Sequence, residues 1–111
     1  MTDDPQLQQH LPLLREDEAV ADQFHGALET LYEKARDDPV VAQSLPACVK
    51  FRLLVKQVLK ALTLPAADPA RPTQSKVQAL IEEWQSARTE FHANHRRNKD
   101  YLEKLALRIY R

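Results

Sequence analysis

Gly26 is the only glycine among the 111 residues. Tight hairpin turns need glycine or asparagine at positive φ, and phosphate-cradling loops need glycine where backbone and ligand approach closely. Usage so far below the ordinary ~7% excludes a hairpin-rich β architecture and a glycine-rich phosphate loop. The chain must therefore satisfy its backbone within helices. Its seven prolines act as punctuation, because proline lacks the N–H of the helical ladder and disfavours helix in the residue before it.

Apolar residues at three- and four-residue spacing place the helices. Residues 1–12 are polar, carry Pro5 and Pro12, and are expected to fray. Val20, Phe24, Leu28, Leu31 and Ala35 form one face of a first, acidic helix over about Leu14–Arg36, with Glu18, Asp22, Glu29 and Glu33 opposite. Asp38-Pro39 reads as N-cap plus first helical residue of a short helix ending at Leu45. Pro46 is expected to separate it from a helix over Ala47–Thr63 carrying Phe51, Leu54, Val55, Val58, Leu59 and Leu62. Pro65, Pro69 and Pro72 make a loop, after which Thr73 or Ser75 caps a helix over Gln74–Ala93. The polar run Asn94–Asn98 is expected to break that helix from a last one carrying Tyr101, Leu102, Leu105, Ala106, Ile109 and Tyr110.

The expected fold is thus all-α, a single domain over 1–111 with three to four main helices: a flexible stretch 1–12, an acidic helical region 13–45 and a helical core 46–111. A lone cysteine, Cys48, precludes an internal disulfide and a multi-cysteine zinc site. No run approaches the ~18 apolar residues of a membrane span, and no secretory pattern opens the chain, so an intracellular location and no membrane partner are expected.

Charge is balanced in sum, 16 Lys and Arg against 16 Asp and Glu, but not in distribution. Residues 1–40 hold ten acids and three bases, and residues 41–111 hold six acids and thirteen bases. Within the basic part, Arg52, Lys56 and Lys60 form an i, i+4 row, and Lys104, Arg108 and Arg111 form another. Like charges at this spacing cost a few tenths of a kcal/mol per pair, which an acidic partner would offset.

Two helices are apolar over more of their circumference than a one-sided surface helix needs. The arc from Leu54 to Leu59 spans roughly 140°, and that of the last helix roughly 180°. Leu54 and Val58 make one i, i+4 row, and Leu102, Ala106 and Tyr110 another. Either both helices are buried on two sides or an apolar groove lies beside them.

The segments LVKQVLKALTLPAADPARP and ARTEFHANHRRNKDYLEKLALRIY resemble the first helix with its proline loop, and the passage into the last helix, of KIX domains. These are three-helix modules of transcriptional coactivators and Mediator tail subunits. The resemblance covers about Val49–Arg111. It departs at Leu102, where coactivator members have a tyrosine, and in the preceding acidic helix. It implies a KIX-like three-helix core and, between first and last helices, a groove for an acidic amphipathic helix. Carried onto this chain, the groove is Leu54 and Val58 opposite Leu102, Ala106 and Tyr110, with a basic rim of Arg52, Lys56, Lys60, Lys104 and Arg108. It also implies transcription regulation and a nuclear location; without it, a cytoplasmic location is expected.

Catalytic chemistry has no footing: there is no Ser/His/Asp arrangement and no phosphate loop. His92 and His95 lie at i, i+3 near Glu90, short of the three or four converging ligands a metal needs. Cys48 and Trp84 read as core residues. The expectation is a non-enzymatic protein-interaction module without cofactor, metal or small-molecule substrate. The alternatives are a nucleic-acid-binding domain, with His92, His95, Arg96, Arg97, Lys99 and Lys104 on phosphates, and a structural adaptor in a larger assembly.

Overall fold

The computed structural model describes residues 8–65 and 67–110. The described residues form three long helices, α1 (Leu11–Ala35), α2 (Pro39–Thr63) and α3 (Gln74–Ile109), and no strand. The architecture is an all-α bundle in which α2 packs along both α1 and α3. Successive reversals make the order up-down-up, so α1 and α3 run in the same direction. The longest dimension, 55 Å, is that of α3 itself, whose 36 residues span about 54 Å at the standard rise.

Local chemistry accounts for the ends. Asp38 caps α2, its Oδ1 accepting from the backbone N–H groups of Val40 and Val41, and Pro39 follows as the first helical residue. Thr73 caps α3 by accepting from the N–H of Lys76 at 3.4 Å. In the proline loop, Arg71 Nη1 donates to the carbonyl of Leu64 and Asp68 Oδ1 accepts from the N–H of Ala70. The core runs the length of the bundle, from Leu14, Ala21 and Leu28 of α1 through Val55 and Val58 of α2 to Trp84 of α3.

Three expected boundaries are corrected. Pro46 does not end a helix; α2 passes through it, so the division at 45/46 falls inside one element. The carbonyl deprived of its partner belongs to Ala42, and both Ala42 and Pro46 are exposed, so water satisfies it. Meanwhile the buried side chains of Val41, Ser44, Cys48 and Phe51 hold both halves to the core. Second, α3 runs unbroken through Asn94–Asn98, so the two helices that the KIX resemblance separates there are one. That run contains neither proline nor glycine, and its residues cost only tenths of a kcal/mol each in a helix. His95 is packed there against Phe24 and Phe91. Third, the chain is ordered earlier than expected. Gln8 Nε2 donates to the carbonyl of Leu62, and the His10 ring meets Trp84 edge-on. Residues 1–7 of the expected flexible stretch lie outside the described residues.

Candidate functional site

The acidic and basic rows singled out in the sequence meet each other. Arg52 Nε pairs with Asp22, and Lys56 Nζ lies 3.1 Å from Glu18 and 3.4 Å from Asp22. Arg52's hydrogen bond, helped by Lys56, holds the Asp22 carboxyl below the usual carboxylate range. The acidic edge of α1 therefore faces α2 as well as water. Lys104 pairs with Asp100 one turn away on the exposed side of α3. Arg108 adds to the field that lowers Asp38, whose main cause is the hydrogen bond donated by the Tyr101 hydroxyl. Lys60 is exposed on α2. The five expected rim cations are thus dispersed, and none lines the cleft described next.

The backbones of α1 and α3 approach each other less closely than either approaches α2, and over their C-terminal halves they leave a cleft of about 580 Å³. Val20, Phe24, Ala27, Leu28 and Leu31 form the α1 wall; Leu102, Ala106 and Tyr110 form the α3 wall, with His95, Lys99 and Glu103 along its edge. The expected row on the last helix does line a cleft. Its other half does not: Leu54 and Val58 are 9% and 0% exposed, belong to the core cluster and are absent from the cleft. The wall opposite Leu102 is the first helix, which lies outside the stretch covered by the KIX resemblance. The wide apolar arc of α3 follows, because Leu105 packs in the core while Leu102, Ala106 and Tyr110 turn toward α1.

Each end of the cleft is bridged. At one end the His95 ring meets Phe24 edge-on at 4.5 Å and stacks parallel to Phe91 at 6.1 Å. Burial there, reinforced by Lys99 and His92, lowers the His95 pKa. At the other end the Tyr110 hydroxyl donates to the backbone carbonyl of Thr30 at 2.7 Å.

One polar cluster escaped the sequence reading. Asp17 is 1% exposed. Its Oδ2 accepts from Trp84 Nε1 at 3.0 Å and Arg88 Nε at 2.8 Å, and its Oδ1 lies 3.1 Å from His92 Nε2. The signal was present: Leu14, Asp17, Ala21 and Leu28 share one helical face at spacings of three, seven and fourteen, and only Asp17 is charged. The cluster fastens the N-terminal half of α1 to α3, just above where the two helices part.

Cys48 is 1% exposed, its thiol lies 3.6 Å from the carbonyl of Ala21, and burial pushes its pKa up to about 11, away from nucleophilic use. Among the described residues no three of His, Cys, Asp or Glu converge as a metal site would require, and no helix is long and apolar enough to cross a membrane. Of the residues suggested for phosphate contact, His92 is held by Asp17, His95 is packed between rings and Arg97 donates to Asn94 Oδ1. In comparisons with protein-family models, curated proteins and solved structures, no significant match to the chain was found.

Proposed function

We propose that the protein is a non-enzymatic protein-interaction module that receives an amphipathic helix of a partner in the cleft between α1 and α3. The observation that carries this reading is the cleft itself, an apolar trough of about 580 Å³ walled by two helices of like direction. From His95 to Tyr110 its α3 wall extends about 22 Å at the helical rise, roughly four turns. Apolar anchors in such a trough supply most of the affinity, in the helix-in-groove mode. This is also the binding mode that the KIX resemblance implies, with α1 in place of α2 as the second wall, and a transcriptional role remains part of that proposal.

The charge preference differs from the one drawn from the sequence. Arg52 and Lys56, the strongest argument for an acidic partner, are neutralised by Asp22 and Glu18. At the cleft the charged residues are Lys99 and Glu103, one turn apart. The preferred helix therefore carries both signs along one edge. Two amphipathic peptides with the same apolar face, one with a mixed Lys/Glu edge and one all-acidic, are titrated into labelled protein and followed by amide shifts. Saturable shifts at Val20, Phe24, Ala27, Leu102 and Ala106, tighter for the mixed peptide, are expected. No saturable shift with either peptide, or shifts confined to residues outside the cleft, overturns the reading.

A further inference from the structure

We infer that the helix received by this cleft is α3 of a second copy of the same chain, the cleft being the face of a two-fold dimer. The inference rests on the cleft's role as a helix-binding site and names its occupant. Three observations select it.

The first is topology. The bundle runs up-down-up, and the open position between α1 and α3 calls for a helix running down. In a two-fold pair, α3 of one copy runs antiparallel to α3 of the other, which is the required direction, and each copy fills the other's cleft with the same surface.

The second is charge. His95, Lys99 and Glu103 line the cleft in an i, i+4 row, which Leu107 continues beyond the lining residues. Reversed about a two-fold axis near residue 101, this ridge sets Lys99 of one copy against Glu103 of the other, twice, and sets Leu107 against His95. A sequence that reads as its own complement in antiparallel pairing is selective for itself. Within one helix, Lys followed by Glu is the weaker order of the i, i+4 pair, so pairing within the chain competes only weakly with a contact across the axis. The chain's formal net charge of zero adds no long-range repulsion between copies.

The third is exposure. Leu107 is 69% exposed, the most exposed of the large apolar side chains among the described residues, and Tyr110, which caps the same helix, is 48% exposed. Leu107 lies one turn beyond Glu103 of the cleft and leaves most of its surface to solvent. Antiparallel pairing carries it toward the His95 end of the other copy's cleft, beside Phe24.

Sedimentation equilibrium of the full chain, from about 5 to about 500 µM, tests the pairing. A concentration-dependent dimer is expected. Lys99→Glu, Glu103→Lys and Leu107→Asp, all at exposed positions, are each expected to weaken it about tenfold or more. The deciding sample is an equal mixture of the Lys99→Glu and Glu103→Lys proteins. Each has a one-signed ridge that repels itself, and the two ridges complement each other, so the mixture is expected to dimerise where each alone does not. A chain that stays monomeric throughout, a dimer indifferent to the single substitutions, or a mixture no better than its components overturns the inference. Titrating the Leu107→Asp protein with the mixed-edge peptide separates the two claims: cleft shifts from a protein whose parent chain never dimerises defeat the second copy alone, and their absence defeats the cleft reading as well.

Discussion

Asp17 shows how one residue can organise an interface between helices. Its carboxylate accepts from an indole and a guanidinium and meets an imidazole, all on α3. Replacing it takes the partner from Arg88, whose side chain is about a third exposed and can be solvated, and leaves the buried Trp84 N–H without its acceptor, a combination that costs about 2 kcal/mol. Asp17→Ala is therefore expected to lower the urea-unfolding free energy by about that amount, and Asp17→Asn by less, since its amide oxygen still accepts from Trp84. A loss under about 0.5 kcal/mol for Asp17→Ala, the range of ordinary surface changes, would show that the cluster holds nothing together. In the sequence Asp17 stands inside the run Glu16-Asp17-Glu18 and reads as a solvated acid. Only its helical phase with Leu14 and Ala21 distinguished it, and phase alone does not say which donors wait on another helix.

At the scale of elements, the caps were legible and the interruptions were not. Asp38-Pro39 and Thr73 carry their own geometry, because a side-chain oxygen beside free N–H groups acts within three or four residues. Pro46 and the Asn94–Asn98 run invited breaks on local grounds, and packing overrode both. In α2 the helix continues because buried residues on either side of Pro46 gain more than the missing hydrogen bond loses. The cost of that missing bond should be measurable. Pro46→Ala restores the donor to the Ala42 carbonyl at an exposed site and is expected to stabilise the protein by about 2 kcal/mol, discounted from the full helix-interior penalty because proline also restricts the unfolded chain. A chemical-denaturation midpoint that stays the same or falls would mean that Pro46 costs α2 nothing.

At the scale of the molecule, α1 is part of the core and a wall of the cleft. Leu14, Ala21 and Leu28 are each 0% exposed, and Glu18 and Asp22 pair with α2. The acidic helical region is therefore built into the bundle. Removing residues 1–36 strips that apolar surface and leaves Trp84 and Arg88 facing an absent carboxylate. The shortened chain is expected to lose its cooperative thermal transition by circular dichroism, whereas a sharp transition near that of the full chain would show that residues 37–111 fold by themselves. By itself the sequence determined the helical class, the Leu102, Ala106, Tyr110 row and part of each apolar stripe, because periodicity is a property of one chain segment and its own geometry; in α1 the buried face turned out to be centred on Leu14, Ala21 and Leu28, with Val20, Phe24 and Ala35 at its edge. The tertiary structure alone decided what stands across from each stripe. The pairing of Arg52 and Lys56 with α1, the burial of Leu54 and Val58, and the opening of a cleft beside α1 depend on how two loops aim three helices and on one buried carboxylate that fastens two of them. Those are long-range choices, and no window of residues contains them.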